Sequence, residues 1–229
     1  MVLTLMASLA SLTPAHAGET PTLGGFGYVL QGVEFTSVVG LGGPLENSLG
    51  EGAAPGLAAW QFGGGGKVLA WNFLVGGKGY GIIRPEVSTG AGSARFGGGG
   101  GGLELGYAAV NRDGWLVYPY AGVSGLALNM ELDNEVKLPL EFGDFEIGEE
   151  SSEGFSSSYV AFEYGLGFQR LLQDSGGGWL LGAEIGLLLT VDNTPWISES
   201  GGEVGDVISP EVSGVYVRTT MGGGGFVAR

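Results

Sequence analysis

Hydrophobic and polar positions alternate along several long segments of this chain. In the segment 156–171, even positions from 160 to 168 carry Val, Phe, Tyr, Leu and Phe, while the odd positions between them carry Ala, Glu and Gly. A period of two places successive side chains on opposite faces of a β-strand and fits a helix poorly. The same period recurs in 93–110, 179–191 and 212–227. The pattern therefore predicts an all-β protein.

About eight strands are expected, a number within the range of small membrane barrels. The predicted strands cover roughly residues 25–37, 57–69, 72–85, 93–110, 115–130, 156–171, 179–191 and 212–227. The first and fifth are apolar or aromatic on both faces, so the pattern alone does not orient them.

The connections between these strands alternate in length. The long ones are the first (38–56), the fifth (131–155) and the seventh (192–211), and the third (86–92) is intermediate. The short ones are the second (70–72), the fourth (111–114) and the sixth (173–177). The fourth contains an Asp-Gly hairpin signal. Short turns on one side and longer loops on the other are typical of outer-membrane barrels.

The first residues have the layout of a secretory signal. Residues 2–12 form a short apolar run, which Pro14 and the small-x-small sequence Ala15-His16-Ala17 follow. This layout predicts a signal peptide over 1–17 and a single barrel domain over 18–229. The segment before the run lacks Lys and Arg, which leaves an upstream start open. The alternative is an ordinary N-terminal strand or helix.

Together, these features resemble the small outer-membrane β-barrel families of the eight-stranded type. The resemblance covers nearly the whole mature chain and rests on pattern rather than on a diagnostic motif. It implies a closed antiparallel up-and-down transmembrane β-barrel in the bacterial outer membrane, with membrane lipid as a partner. One departure is the chain end, Phe226-Val227-Ala228-Arg229, where such barrels often end on an aromatic residue.

Glycine is unusually abundant, with 49 residues in 229 and no three-residue period. Runs at 63–66, 97–102 and 222–225 predict close strand packing or space beside large aromatic side chains. A phosphate-binding loop is the alternative at 63–66, because Lys67 follows it. Val68 stands where that motif needs Ser or Thr, and no helix is predicted after it, so this alternative is disfavoured.

Charged residues occupy the face opposite the apolar positions. A barrel of about eight strands is just wide enough for side chains to fill it. Arg or Lys facing lipid at mid-depth would cost about 2–4 kcal/mol, so these charges are predicted to face the lumen. The predicted lumenal charge network is Lys78, Arg84, Glu104, Glu163, Glu184 and Arg218. Salt-bridged filling is favoured, and an ion path or ligand site is the alternative.

Tryptophan falls near predicted strand ends, which suits interfacial aromatic girdles. The five residues are Trp60, Trp71, Trp115, Trp179 and Trp196. Ordinary core packing is the alternative.

The fifth connection is strongly acidic, with nine acids in 131–153 against Lys137. We expect a solvated, repulsive surface that keeps the outer loops apart. Carboxylates can also hold Ca²⁺, and Asp133, Glu135 and Asp144 are weak candidate ligands without the spacing of an EF-hand. Divalent cations at the acidic loops are therefore a further candidate partner, while no cofactor is predicted.

Net charge and amino-acid composition disfavour several functions. The net charge of −15 disfavours nucleic acid. Cysteine is absent, and the only histidine, His16, lies in the predicted signal peptide, so Ser-His and Cys-His catalysis are disfavoured. A catalytic carboxylate pair stays open, although nothing singles out two acids.

The expected function is therefore non-enzymatic. We expect a monomeric barrel with a structural or surface-interaction role, a side-chain-filled lumen and acidic outward loops. A narrow pore or small-ligand transporter is one alternative. A secreted soluble β-barrel that binds an apolar ligand is the other.

Overall fold

Eight long strands dominate the computed structural model, which describes residues 21–39, 41–56, 58–112, 114–136, 139–174, 177–205 and 211–228. The predicted signal peptide lies outside these residues. The strands are β1 (Pro21–Val39), β2 (Ala58–Ala70), β3 (Phe73–Ile83), β4 (Gly92–Tyr107), β5 (Trp115–Asn134), β6 (Ser152–Asp174), β7 (Gly177–Asn193) and β8 (Glu211–Ala228).

The sheet closes on itself. Each strand pairs antiparallel with its neighbours in the chain, and β1 pairs with both β2 and β8. Closure pairs the edge strands with each other, which a hydrocarbon environment requires of a sheet. The predicted closed antiparallel up-and-down β-barrel of eight strands is confirmed. Among the described residues, no helix is long and apolar enough to cross a membrane.

Tight turns join the strands at one end of the barrel. Trp71 and Asn72 form the β2–β3 turn with φ values of 46° and 71°, and Ala70 pairs with Phe73 across it. Two successive positive φ values fit a two-residue hairpin whose twist matches that of the strands. After β4 ends at Tyr107, the short strand Val110–Arg112 pairs with the start of β5. The predicted fourth strand is therefore three residues shorter at its end, and Val110–Arg112 forms a separate ladder with β5. Asp113 of the predicted Asp-Gly turn lies outside the described residues.

Longer loops at the other end contain secondary structure of their own. The first holds the helix α1, Gly42–Leu49. The others hold the short strands Val87–Ser88, Leu140–Phe142, Phe145–Ile147, Ile197–Ser198 and Gly202–Glu203.

These loops pack together into a folded cap, here called the loop dome (residues 41–56, 84–91, 135–136, 139–151 and 194–205). Leu45, Phe142 and Trp196 come from three different loops and are each fully buried. The Thr89 hydroxyl donates to the Leu49 carbonyl at 2.6 Å, and the Gly205 N–H donates to Asp144 at 2.6 Å. The expectation that acidic repulsion keeps the loops apart is therefore wrong, because apolar side chains between the charged ones pack against each other.

The structure also orients the two strands that the pattern left open. On β1, Tyr28 and Leu30 are buried inside while Val29 is 60% exposed. On β5, Tyr118 and Tyr120 face inward. Two apolar faces are compatible here because one meets lipid and the other fills the barrel.

Candidate functional site

The outer face of the barrel carries an exposed apolar belt. On β6 the outward side chains are Val160, Phe162, Tyr164, Leu166 and Phe168, all more than a third exposed. On β7 and β8 the same is true of Leu181, Ile185, Leu187, Val215, Val217 and Met221. Water would disfavour so much exposed apolar surface, whereas lipid would cover it. The belt therefore disfavours the alternative of a secreted soluble barrel and fits the expected membrane-spanning one.

Four of the five tryptophans lie on this outer face. Trp71, Trp115 and Trp179 are exposed at the short-turn end, and Trp60 is exposed near the loop end. Their positions fit aromatic girdles at the two membrane interfaces. Trp196 does not belong to a girdle: it is fully buried in the loop dome, where its carbonyl accepts from the Val204 N–H at 2.9 Å. Its place in a long connection, away from any barrel strand, accounts for the difference.

The lumen holds a layer of charged side chains between two apolar layers. The layer next to the short turns consists of Leu69, Leu74, Leu116, Leu171 and Leu180, all buried. The layer next to the loop dome consists of Ile82, Phe96, Leu126, Leu128 and Met130, also buried. Lys67, Lys78, Glu104, Glu163, Glu184 and Arg218 lie between these layers, in the middle of the barrel.

Five ion pairs join the middle layer into one network. Lys67 bridges Glu104 at 2.6 Å and Glu184 at 2.5 Å. Lys78 bridges Glu104 at 3.1 Å and Glu163 at 2.7 Å. The Arg218 guanidinium contacts Glu163 at 3.1 Å. Glu104, Glu163 and Glu184 thus each meet at least one ammonium or guanidinium group.

The network continues toward the loop dome through neutral groups. Arg218 donates through Nε to the Gln61 side chain at 2.6 Å, and Gln61 donates to Glu34. Arg84 lies apart from the five ion pairs: it donates to the carbonyl of Gly56 at 2.9 Å and to Thr36. Of the six predicted lumenal charges, the structure brings Lys78, Glu104, Glu163, Glu184 and Arg218 together and places Arg84 near the loop end of the lumen.

Buried tyrosines fill the space around the charges. The Tyr118 hydroxyl accepts from Lys67 at 2.8 Å, and the Tyr120 and Tyr216 hydroxyls share a hydrogen bond of 2.7 Å. The Arg218 guanidinium carbon lies 3.8 Å from the Tyr216 ring centroid, within the range of cation–π contact.

Inward glycines make room for these rings. A Cβ at Gly165 would lie 2.7 Å from the Tyr120 ring, and one at Gly65 would lie 2.8 Å from the Tyr28 hydroxyl oxygen. Such distances are too short for non-bonded carbon and oxygen atoms. At Gly65 and Gly165, glycine thus provides space beside large aromatic side chains, as the sequence predicted.

The buried charges balance. Within the described residues they are four cations, Lys67, Lys78, Arg84 and Arg218, and four carboxylates, Glu34, Glu104, Glu163 and Glu184. All are less than a tenth exposed. Burying a charge is tolerable when it is paired and hydrogen-bonded. The arrangement is suited to filling and cross-linking the lumen, since six of these charged groups pair with each other and Glu34 and Arg84 are hydrogen-bonded to neutral partners.

The sequence pattern did not reveal all members of this network. It missed Lys67, Glu34 and the inward tyrosines. On the sequence, Lys67 suggests only a phosphate-loop residue. The period of two on β2 could have predicted that Lys67 faces the lumen, because it shares a face with buried Gln61 through positions 63 and 65. Two intervening glycines hid this alternation.

The weak metal candidates do not converge. Asp133 lies 3.4 Å from Arg95, while Asp144 accepts from the Gly205 N–H. Glu135 is exposed. Within the described part of the chain, no group of three or more potential ligands could hold a metal ion.

Several solved outer-membrane barrels are similar to the chain. Ail, the attachment invasion locus protein of Yersinia pestis, is 14% identical with a TM-score of 0.42 over 91% of this chain and 98% of that chain. A major outer membrane protein from Thermus thermophilus is 10% identical with a TM-score of 0.49, over 89% and 99%. The outer membrane protease OmpT from Escherichia coli is 9% identical with a TM-score of 0.37, over 93% and 99%.

No family model and no curated protein matches the chain. At such low identities and scores, the structural likenesses bring no role to it. Strand pairing and the outward apolar belt are its own features and do not depend on any neighbour. They show a closed eight-stranded transmembrane β-barrel of the outer-membrane type.

Proposed function

We propose that this protein is a non-enzymatic, monomeric membrane barrel whose lumen is a plug and whose loop dome is a folded outer surface for contact with its surroundings. The observation that carries the proposal is the balanced, buried ion network between two apolar layers. In the described lumen these side chains are packed against each other from the short turns to the loop dome. A structural or surface-interaction role follows more directly from this arrangement than permeation.

The loop dome supports the second half of the proposal. Its apolar side chains are buried and its acids point outward, as Glu141 and Glu146 do on the hairpin of the fifth connection. A packed dome presents a fixed surface, whereas separate loops would not. The acidic surface favours cationic partners or divalent cations as bridging ions over polyanions.

The non-enzymatic assignment rests on chemistry. The predicted mature chain offers no His or Cys. Of the four buried lumenal carboxylates, Glu104, Glu163 and Glu184 are engaged by Lys or Arg, and Glu34 accepts from Gln61. A monomer is favoured because the closed sheet has no long unpaired edge among the eight described strands.

Planar-bilayer recording of the reconstituted barrel tests the plug. We expect no discrete channel events from the wild-type protein, and heat-modifiable gel migration should show that the same sample is folded. Reproducible single-channel steps from the folded protein would contradict the plug. If those steps changed in size in Glu163→Gln but not in Glu146→Gln, the lumenal pore would replace it.

A further inference from the structure

Two polar side chains in the lumen meet across a glycine of β7. Gln169 on β6 and Thr220 on β8 lie directly opposite Gly182, so the three residues form one row across three strands. Directly opposite residues share a face of the sheet, and Gln169 and Thr220 are buried, so this face points into the lumen. A Cβ at Gly182 would lie 2.7 Å from Gln169 Cγ and 2.7 Å from Thr220 Oγ1. The two side chains therefore approach each other over the glycine.

Glu184, the next inward residue on β7, joins this group through Tyr118. Its Oε1 atom accepts from Lys67 at 2.5 Å and from the Tyr118 hydroxyl at 3.2 Å. The same hydroxyl accepts from Gln169 Nε2 at 2.9 Å. Glu184 and Gln169 are thus held against one oxygen atom, which keeps the second oxygen of each side chain close by.

Each of the three side chains has an oxygen atom without a hydrogen-bond partner among the described residues. These atoms are Gln169 Oε1, Glu184 Oε2 and Thr220 Oγ1, and the three residues are at most 3% exposed. Buried polar atoms in folded proteins are nearly always hydrogen-bonded, because an unpartnered one carries the full cost of leaving water. A small hydrogen-bonding ligand would remove this cost.

The chemistry of these atoms fits a water molecule. Glu184 Oε2 and Gln169 Oε1 can only accept hydrogen bonds, whereas the Thr220 hydroxyl can also donate one. A water molecule can donate to the first two and accept from the third, and buried waters typically make about three hydrogen bonds. A monovalent cation also binds oxygen atoms, but the Lys67 ammonium group already lies 2.5 Å from Glu184 and would repel it.

A similar arrangement occurs at Gly32, on the loop-dome side of the ion network. Gln61 on β2 and Arg218 on β8 lie opposite Gly32 on β1, and Glu34 is the next inward residue on that strand. Arg218 Nη2 and Glu34 Oε1 have no hydrogen-bond partner within the described part of the chain, and both residues are fully buried. A water molecule can accept from the first atom and donate to the second.

We propose that the lumen binds buried water as a structural ligand. One molecule is held by Gln169, Glu184 and Thr220, and a second is held between Arg218 and Glu34. The two molecules complete the hydrogen bonding of the buried side chains and extend the ion network at both of its ends. The proposal rests on the plugged lumen, yet it is tested by occupancy and stability, whereas bilayer recording tests conduction.

A high-resolution crystal structure of the detergent-solubilised barrel tests both sites directly. We expect one density peak about 2.6–3.2 Å from Gln169 Oε1, Glu184 Oε2 and Thr220 Oγ1, and another between Arg218 Nη2 and Glu34 Oε1. Absence of these peaks would overturn the proposal. Crystals grown in rubidium chloride should show no anomalous signal at either position, and such a signal would assign that site to a monovalent cation instead.

Thr220→Val gives an independent test of the first site, because the sign of its effect depends on the water. With water bound, the substitution removes one hydrogen bond, and the equilibrium constant for unfolding in urea should rise about fivefold. Without water, valine would replace an unsatisfied hydroxyl, and the barrel would become more stable. A Thr220→Val variant as stable as the wild type, or more stable, would therefore overturn this site.

Thr219→Val is the matched control. It makes the same change at the adjacent position on β8, where the side chain is exposed on the outer face and its hydroxyl donates to the Gln31 carbonyl at a distance of 3.3 Å. We expect an unchanged unfolding midpoint in this variant. A loss equal to that in Thr220→Val would show that threonine serves the strand rather than a lumenal water, and would also overturn the first site.

Discussion

The lumen and the loop dome are both rich in glutamate, yet the two regions use it in opposite ways. In the lumen, each of Glu104, Glu163 and Glu184 is buried and meets a lysine or arginine. In the dome, Glu141, Glu146 and other acids are exposed, and the described surface ion pairs centre on Arg95, which lies on β4 at the edge of the dome. Because the buried charges balance, the net charge of −15 resides on the surface and in the undescribed residues. Composition alone could not distinguish charges that hold the barrel together from charges that coat it.

The largest effect should come from removing one lumenal carboxylate. Glu163 bridges Lys78 and Arg218 and accepts from the Ser124 hydroxyl at 2.6 Å. Glu163→Gln removes the negative charge that both buried cations contact. Breaking a buried ion pair in this way typically lowers the free energy of unfolding by about 3–5 kcal/mol. Urea unfolding of the vesicle-reconstituted barrel, followed by tryptophan fluorescence, measures the loss.

The matched control for that substitution is Glu146→Gln in the loop dome. It makes the same chemical change at an exposed site, where we expect a shift within about 0.5 kcal/mol. Equal shifts in the two variants would erase the distinction between lumenal and surface glutamates.

A smaller effect is expected from the glycines that accommodate the tyrosines of the lumen. A Cβ at Gly167 would overlap the Tyr118 ring, which hydrogen bonds to Lys67 and Gln169 hold in place. Gly167→Ala should therefore destabilise the barrel by about 1–3 kcal/mol, as overpacking usually does. The same unfolding measurement applies.

Gly125 provides the comparison for Gly167, since a Cβ there would meet nothing within 4 Å. Alanine in a strand loses less backbone entropy than glycine, so Gly125→Ala should be neutral or stabilising by about 0.5–1 kcal/mol. A loss at Gly125 as large as that at Gly167 would show that glycine serves the strand backbone rather than the lumenal rings.

These residues also show what sequence could predict. Period-two alternation located β6 and β7 and their outward faces, because one face there is uniformly apolar and the other is not. On β1 and β5 the same signal failed, since lipid and a tyrosine-filled lumen both accept apolar side chains. The ion pairs required strand register: Lys67 and Glu184 are 117 residues apart and meet across the barrel. Trp196 was misplaced because alternation carries no information about a loop that folds on its own core.

The smallest expected effect concerns the surface ion pair that Arg95, at the edge of the dome, forms with Glu86 in the dome. Arg95 lies 3.2 Å from Glu86, and both side chains are about half exposed. Hydrogen bonds from Arg95 and Ser93 lower the pKa of Glu86 below its ordinary value of 4.5. A carboxylate with a lowered pKa in the folded state contributes stability above pH 4.5 and loses it as the pH falls through the folded value. Arg95→Gln should raise the pKa of Glu86 toward 4.5.

The response to added salt distinguishes this surface ion pair from the lumenal network. Because Glu86 and Arg95 are solvated, added salt should raise the pKa of Glu86 toward its ordinary value in the wild type, as screening weakens their attraction. The unfolding midpoint at neutral pH should stay unchanged in Arg95→Gln, since exposed pairs contribute little. Carboxyl-selective NMR titration in low and high salt measures the first effect, and urea unfolding measures the second. A salt-independent pKa, or a midpoint shift comparable to that of Glu163→Gln, would place Arg95 among the charges that hold the protein together.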